Sequence, residues 1–426
     1  MPLPRVIDSH FDPFVQALPE DFQQQAYQLG AFSRARKIDS PLQLLHLIML
    51  YCGLDFSLRT CAATFAQTHQ ALSDEAVKKR LERCVPWLKY MLGGVLGLHR
   101  VRQDGSFRLI VVDGSTIQER GATTTSYRLH LAIDLIDLAL TQAVVTTNRV
   151  GEKLQHYTVQ EGDVLMADRG YSRVPTLLPV IDQGADVIVR YNPQNMALYH
   201  QDDRMLKVDW QHTLSASPGL PHVIPVYLAQ GNKRIRACVH AFPLPAAQAD
   251  HARRQAREIA RKNGHTTQAL TLYLRGWLLI FSSVPAEVMD SQTIQTLYRA
   301  RWQIELCIKR MKSLLKINQL RAKKNSALAE LYLYGKLLYA AVVEQRSNNR
   351  FARHSGLGLS QVRVMTPWRM LQQTSMEVQS MLLGLFPPKP DRLDACLQSG
   401  SERPRRRKLQ ALPDEIYRLM QMHEAR

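Results

Sequence analysis

From the N-terminus to about residue 100, apolar positions recur at the three- and four-residue spacing of helices. The segments that show this spacing are EDFQQQAYQLG, PLQLLHLIMLYCG, SLRTCAATFAQ and SDEAVKKRLERC. Ser73 opens the last of them and is predicted to cap its N-terminus. The pattern predicts a helical N-terminal domain over residues 1–100.

The last two of these segments are short helices joined by a turn. Val77, Leu81 and Cys84 form the apolar face of the second helix, so Lys78 and Lys79 lie on its outward face. A small DNA-binding unit of the helix-turn-helix type fits this pattern, with Lys78 and Lys79 against the DNA. A plain helical bundle with a solvated basic face fits it equally well.

After residue 106 the spacing changes to short apolar runs that end in turn residues, a pattern typical of strands. The strand-like runs are FRLIVVDGS, YRLHLAIDL, ALTQAVVTT, GDVLMADRGY and ADVIVRY, with the helix-like RVPTLLPVIDQG before the last of them. Several strands followed by a helix and another strand predict a mixed α/β sheet.

Residues 192–285 differ in character and are predicted to form a β-rich insertion. The predicted strands are RMLKVDW, HVIPVYLAQG, RIRACVHAF and LTLYLRGWLLIFSSV, interrupted by the helix AAQADHARRQAREIARKNG. On that helix Arg253, Arg257 and Arg261 recur every four residues and form one basic ridge. Such a ridge is usually solvated, and it is also a candidate for phosphate contact.

The C-terminal third is predicted to be helical. The segments SALAELYLYGKLLYAAVVEQRSNNR and GLSQVRVMTPWRMLQQTSMEVQSMLLGLF predict helices, with Pro367 near the start of the second. PPKPDRLDACLQSGSERPRRRKLQ is rich in Pro, Ser and charge and predicts a flexible linker. DEIYRLMQMHE then predicts a short amphipathic helix.

The charge balance indicates the class of binding partner. Lys and Arg number 55 against 37 Asp and Glu, a net charge of +18, which favours a polyanion: nucleic acid first, an anionic membrane second. LLHLIMLYCGL is too short to span a bilayer, and MPLPRVIDSH lacks the apolar core of a signal peptide. The six cysteines contain no Cys-x-x-Cys, which indicates reduced thiols. We therefore expect a cytoplasmic protein that binds nucleic acid and no membrane.

Residues 298–316, YRARWQIELCIKRMKSLLK, predict a helix with unusually placed charges. At about 100° per residue, Arg301, Glu305 and Lys312 fall on the same face as Tyr298. An apolar stripe runs directly beside that face, formed by Leu297, Ile304, Ile308, Met311 and Leu315. A carboxylate is thus held at the edge of the core between cations, although flanking cations also make ordinary surface ion pairs.

Two more acids end buried strand-like runs: Asp113 follows LIVV and Asp168 follows VLMA. Each has a plain interpretation, since Asp-Gly is ordinary turn chemistry and Asp168 precedes an arginine. Together with Glu305 they could converge, and three converging carboxylates need a counter-ion. Mg²⁺ is the usual cation for such oxygen ligands, and two ions can activate water and stabilise the leaving oxygen of a phosphodiester.

A family resemblance strengthens this hypothesis. Residues 298–312 match the Tyr-Arg-Glu-Lys signature of a branch of the DDE transposases of bacterial insertion sequences (insertion-sequence family four). VVDGST resembles the first-aspartate strand of that family, and LMADRGYS resembles the second. The long separation of Asp168 from Glu305 is also similar to this branch, which carries a β-rich insertion before the glutamate. The resemblance covers roughly residues 40–345.

The resemblance implies an α/β fold with a ribonuclease-H-like catalytic core. The β-rich insertion would lie between the second Asp and the Glu, with a helical domain before the core and helices after it. The expected segments are a DNA-binding domain at 1–100, the first part of the core at 101–191, the insertion at 192–285, the core helix with Glu305 and the next helix at 286–346, and a helical C-terminal region with a linker at 347–426.

The resemblance also implies roles for single residues. Asp113, Asp168 and Glu305 would be the catalytic metal ligands for two Mg²⁺ ions, with Mn²⁺ as a substitute. Tyr298, Arg301 and Lys312 would contact phosphates near the cut site, and Lys309 lies on the same helix face. Trp277 would stack on a base flipped out of a hairpin end, although a core tryptophan on a strand fits its sequence context equally.

The function that follows is metal-dependent cleavage and strand transfer at insertion-sequence ends. The partners would be double-stranded DNA at the terminal inverted repeats and at the target, bound by a homodimer in the bacterial nucleoid. Two alternatives remain: a ribonuclease-H-like DNA nuclease, and a catalytically inactive DNA-binding repressor or inhibitor.

Overall fold

The computed structural model describes residues 6–97, 108–136, 138–202, 206–216, 219–356 and 365–385. The chain divides into two compact units. The helical unit comprises the described residues within 6–97, 114–151 and 304–385, and the sheet unit comprises the described residues within 108–113 and 152–303.

The N-terminal segments are helices, as their apolar spacing predicts. Their bounds are α1 Val6–Val15, α2 Phe22–Gln28, α3 Pro41–Cys52, α4 Leu58–Ala66, α5 Asp74–Leu81 and α6 Val85–Gly97. The predicted cap of α5 is confirmed, because the Ser73 hydroxyl accepts a hydrogen bond from the Ala76 N–H at 3.2 Å. The predicted apolar face is confirmed too, since Val77, Leu81 and Cys84 are fully buried.

The strands predicted between residues 107 and 191 are all present. Their bounds are β1 Arg108–Glu119, β2 Tyr127–Asp134, β3 Leu140–Thr147, β4 Asp163–Ala167 and β5 Asp186–Arg190, with helix α7 at Val174–Ile181. The turn interpretation of Asp113 is wrong, because Asp113 and Gly114 lie inside β1. β1 therefore continues past Asp113 and contributes its first half to the sheet unit and its second half to the helical unit.

The segment 192–285 mixes strands and helices. Its elements are β6 Leu198–His200, α8 Trp210–Ser215, β7 His222–Gln230, β8 Lys233–Pro243, α9 Ala246–Lys262, α10 Ala269–Leu274 and β9 Trp277–Ser282. Two predicted strands are only partly right. Lys207 of RMLKVDW makes an isolated antiparallel bridge with Tyr199, and the second half of LTLYLRGWLLIFSSV forms β9, but each segment also contains helix. Trp210 begins α8 because Asp209 caps that helix through the N–H groups of Gln211 and His212. LTLYL forms the last five residues of α10, and in so short a run the period alone does not separate strand from helix.

In the sheet unit the strand order is β1-β4-β5-β9-β8-β7-β6. The first half of β1 is parallel to β4, and β4 is parallel to β5. β5 pairs antiparallel with β9, and the remaining neighbours are antiparallel as well. The predicted mixed α/β architecture is confirmed, with a large mixed sheet.

Residues 298–316 form parts of two helices and a π-helical turn, and not one continuous helix. The elements here are α11 Ser291–Ala300, α12 Trp302–Arg310 and a π-helical turn at Met311–Leu315, followed by β10 Gln319–Leu320, α13 Ala327–Gly356 and α14 Pro367–Leu382. The predicted apolar stripe is confirmed, since all five of its residues are buried. The constant step of about 100° does not extend to Lys312, which lies in the wider π turn.

In the helical unit, α13 packs against α3, α6 and α14. β2 and β3 form an antiparallel pair there, and β10 is parallel to the second half of β1. The predicted linker and the final short helix lie outside the described residues. Among the residues that are described, no helix combines the length and the apolar character that crossing a membrane requires.

Candidate active site

The registers of three parallel strands in the sheet unit, extended past their last paired residues, align Asp113, Asp168 and Arg190 in one row. β1 pairs with β4 from Arg108 opposite Asp163 to Val111 opposite Met166. The same register carried two residues further places Asp113 opposite Asp168. The register of β4 with β5, carried one residue past its last pair, places Arg190 opposite Asp168. Residues opposite each other on parallel strands lie about 4.8 Å apart and face the same side.

A bidentate ion pair at the other end of these strands fixes that register. Arg108 donates from Nε and Nη2 to the two carboxylate oxygens of Asp163 at 2.9 and 2.6 Å. Asp163 is fully buried, so this pair is shielded from solvent. A slip of one residue would break it and would turn either Asp113 or Asp168 to the opposite face of the sheet.

Asp168 also shapes the loop that follows it. Its Oδ1 accepts a hydrogen bond from the Gly170 N–H at 2.8 Å and caps the 3₁₀ turn at Arg169–Tyr171. A Cβ at Gly170 would lie 3.1 Å from that Oδ1 and 3.5 Å from Oε2 of Glu152. Glycine therefore leaves room for two carboxylates at this position. Glu152, which the sequence did not single out, is a further acid beside Asp168.

The signature residues Tyr298 and Arg301 belong to the same unit and lie near this row. The Arg301 guanidinium carbon is 5.8 Å from the centre of the Tyr298 ring. Burial raises the pKa of the Tyr298 hydroxyl to about 12; Arg301 and Arg190 oppose that rise, and Asp168 adds to it. The Tyr298 hydroxyl is therefore neutral, accepts a hydrogen bond from Arg301 and interacts electrostatically with Arg190 and Asp168.

A cleft beside the row is lined by three arginines. Arg169, Arg190 and Arg275 share this lining with Trp277. Burial lowers the pKa of Arg169 and of Arg275, and repulsion from Arg190 lowers both further. Three partly buried like charges strongly favour an anion between them. The sequence did not single them out, although Arg190 ends a strand just as Asp113 and Asp168 end buried runs.

Trp277 has features of both predicted interpretations. It is the first residue of β9 and is only 9% exposed. Its ring centre lies 5.4 Å from that of His222. The remaining exposed part contributes to the arginine cleft, so the side chain is packed on one side and open to a ligand on the other.

The basic ridge on α9 is not uniform. Arg253 donates from Nε to the Leu272 carbonyl at 3.2 Å and forms a 3.0 Å ion pair with Asp250. Arg257 and Arg261 are exposed. Arg253 therefore anchors α9 to α10, and the two other arginines are the accessible part of the ridge.

The remaining predicted site residues belong to the helical unit. Glu305 lies in the first turn of α12 and is half-buried. Lys309 on the same helix is exposed, and Lys312 in the π turn is half-buried. On α5, Lys79 is exposed and lies opposite the buried face of that helix, whereas Lys78 is half-buried at the edge of that face.

The arrangement of acidic side chains in the described residues can be compared with the predicted metal site. No group of three or more His, Cys, Asp or Glu side chains in the described part of the chain is arranged to hold a metal ion. Asp113 and Asp168 supply a pair of oxygen donors on one sheet face, which is the donor chemistry that Mg²⁺ takes. The pair fits a divalent cation as two of its ligands.

Comparison with known proteins gives consistent matches. Residues 104–339 match the family described as the transposase DDE domain. The transposase for insertion sequence element IS421 of Escherichia coli is 30% identical over 338 residues, covering 76% of this chain and 90% of that protein. The transposase for element IS231E of Bacillus thuringiensis subsp. finitimus is 23% identical over 426 residues, covering 86% and 88%. A cryo-EM structure of a piggyBac transposase synaptic complex with hairpin DNA aligns at a TM-score of 0.40 and 9% identity, covering 94% and 86%.

Proposed function

The chain belongs to the DDE transposases of bacterial insertion sequences and is therefore an enzyme that acts on DNA, and we propose that it cuts and joins DNA at element ends through Asp113, Asp168 and Glu305. Membership of this family implies dependence on a divalent metal ion. The observation that carries the proposal is the row in which Asp113 and Asp168 stand opposite each other beside an arginine-lined cleft.

The proposed core is ribonuclease-H-like, with Asp113, Asp168 and Glu305 as the ligands for two Mg²⁺ ions. When bound, the ions would activate a water molecule and stabilise the leaving oxygen of a phosphodiester, and Mn²⁺ would substitute for them. The protein then has to hold the scissile phosphate still. Arg190 stands next to Asp168 in the row, so it can hold a phosphate oxygen beside the carboxylate pair.

Further residues are proposed to contact DNA. Arg301 offers a planar fork to phosphate, and the neutral Tyr298 hydroxyl donates a hydrogen bond without adding charge. Arg169 and Arg275 extend the anion-binding surface along the cleft. The further candidates are Lys309 and Lys312 after Glu305, Arg257 and Arg261 on α9 with Arg253 as their anchor, Lys78 and Lys79 on α5, and Trp277 as the stacking partner of a flipped base.

We propose terminal inverted repeats and target DNA as the substrates and a homodimer assembled on DNA as the active form, because two ends must be cut together. The site of action would be the bacterial nucleoid. The direct test is incubation of the protein with repeat-ended DNA and Mg²⁺. Free 3′-hydroxyl ends followed by joined products support the proposal. Cutting without joining would indicate a nuclease, and binding without cutting would indicate a repressor.

Lys312→Ala is expected to weaken binding to element ends roughly uniformly across sequences. Loss of one phosphate contact should lower the slope of log binding constant against log salt by about one unit. Gel-shift titrations over a range of salt concentrations measure that slope. Lys312→Arg keeps the charge and should keep the slope. An unchanged slope and unchanged strand transfer in Lys312→Ala would make Lys312 a structural cation.

A further inference from the structure

In the helical unit, a buried carboxyl group on α13 contacts α12. Glu344 on α13 is 4% exposed and accepts a hydrogen bond from the Cys307 thiol at 3.0 Å. It also accepts one from the Leu140 N–H at the start of β3, and the charge of Arg310 acts on it. Burial raises the pKa of Glu344, and these three partners oppose that rise. Burying a carboxylate is costly unless such partners compensate.

Cys307 connects this carboxylate to the helix that carries Glu305. Cys307 comes two residues after Glu305, so it lies about 200° around α12 from it. Cys307 is 1% exposed and Glu305 is half-buried, so one side of the helix is anchored and the other side is accessible. Neighbouring Ile304 and Ile308 pack without directional preference, whereas a hydrogen bond fixes the rotation and the height of the helix.

The α13 side of the contact between Cys307 and Glu344 is fixed by a second hydrogen bond. Asn348 lies one turn after Glu344 on α13 and donates to the Leu138 carbonyl at 3.3 Å. Glu344 and Asn348 thus contact both residues that flank Ala139 at the start of β3. The hairpin of β2 and β3, helix α13 and helix α12 therefore share one buried polar junction.

We propose that Glu344 is a positioning residue that sets the rotation of α12, and through it the position of the Glu305 carboxylate, by way of Cys307. This inference rests on the proposed role of Glu305 in DNA cleavage. A shift of about 1 Å in a catalytic group can cost roughly a hundredfold in rate without any change in substrate binding. Glu344 is buried and therefore out of reach of a DNA ligand, so its effect should appear in the cleavage rate and not in end binding.

The test uses full-length protein and two matched replacements. Glu344→Leu removes both acceptor oxygens at similar volume, and Glu344→Gln keeps an acceptor oxygen in the same place. We expect Glu344→Leu to lower the single-turnover cleavage rate roughly a hundredfold at saturating DNA, with an unchanged Kd for element ends. Glu344→Gln should stay within a few-fold of wild type. Amide hydrogen exchange over residues 302–315 should rise in Glu344→Leu while exchange in α14 stays unchanged.

Cys307 gives a smaller perturbation of the same contact. Cys307→Ala should lower the rate about tenfold, as expected for loss of one hydrogen bond to a buried carboxyl group. Cys307→Ser keeps a donor and should largely retain the rate. If Glu344→Leu does not fold, this pair still tests the inference. In the double variant Glu344→Leu/Cys307→Ala, the loss should not exceed that of Glu344→Leu, because both changes remove one interaction.

Three results would overturn the inference. One is wild-type cleavage by Glu344→Leu or Cys307→Ala. Another is a parallel fall of cleavage, end binding and exchange protection in all helices of Cys307→Ala, which indicates general loss of structure. The third is equal loss in Cys307→Ser and Cys307→Ala. Glu305→Ala is measured beside them. Wild-type cleavage by Glu305→Ala refutes the proposed function, whereas a strongly impaired Glu305→Ala with a fully active Glu344→Leu refutes only the positioning role.

Discussion

Replacing Asp113, Asp168 or Glu305 singly with Ala is expected to reduce DNA cleavage by roughly a thousandfold or more while binding to element ends persists. Each change removes a proposed metal ligand, and metal assistance contributes several kcal/mol to such transition states. Each 1.36 kcal/mol corresponds to about tenfold in rate. Loss of a negative charge should leave end binding unchanged or tighten it, because DNA is a polyanion. Cleavage assays in Mg²⁺ and gel shifts measure the two effects separately.

Asp168→Asn is the matched control for folding. Asn keeps the volume and an oxygen that can accept the Gly170 N–H, so the turn at Arg169–Tyr171 should survive. It removes the charge, so we expect it to be nearly as inactive as Asp168→Ala. Full cleavage by Glu305→Ala, or lost end binding at an unchanged melting temperature in any of these variants, would contradict the assigned roles.

Asp113 and Asp168 can be predicted as site residues from the sequence because each follows a buried apolar run. An acid at such a position is costly unless it has a function, and parallel strands bring their ends together. The same rule applies to Arg190, which ends the run ADVIV. Arg190 does not fit a pattern of metal ligands, because that pattern consists of acids. The row of Asp113, Asp168 and Arg190 then follows from the strand pairing, which sequence alone does not supply.

Other features depend on contacts between distant parts of the chain. The continuation of β1 past Asp113 and Gly114 could not be predicted, because Asp-Gly is a turn signal whose effect here is overridden by pairing of the second half of β1 with β10. Glu152 is recognisable only from its approach to Gly170. In the sequence, Glu344 is one polar residue in a long helix, and only the structure shows its hydrogen bond with Cys307.

Helical periodicity predicts the buried positions well where the apolar pattern is long. The apolar stripe of residues 297–315 is buried as predicted, because a stripe of five positions leaves little freedom for the helix. The π turn at Met311–Leu315 leaves no trace in that stripe, yet it changes the direction in which Lys312 points. Short runs such as LTLYL gave the wrong secondary structure, since a run of five apolar residues fits either period.

Trp277→Ala is expected to slow hairpin formation more than first-strand nicking. Nicking needs no distorted DNA end, whereas a hairpin is tightly bent at its closing phosphate, and a flipped base on an aromatic ring relieves that strain. Loss of one base–aromatic stack removes about 1–3 kcal/mol. If the loss is expressed fully in the hairpin transition state, the rate falls roughly ten- to a hundredfold. Denaturing gels should then show nicked DNA accumulating at the expense of hairpin products.

Burial makes folding the main confounder of this experiment. Trp277 is 9% exposed and packs near His222, so truncation to Ala also removes core contacts that typically contribute about 3–5 kcal/mol. Trp277→Phe keeps an aromatic face and most of the packing, and it should retain much of the hairpin activity. The arginine cleft should hold phosphate in both variants, so nicking serves as the internal reference. Equal loss of nicked and hairpin products, together with a lowered melting temperature in Trp277→Ala, would assign Trp277 to the core and remove the case for a hairpin pathway.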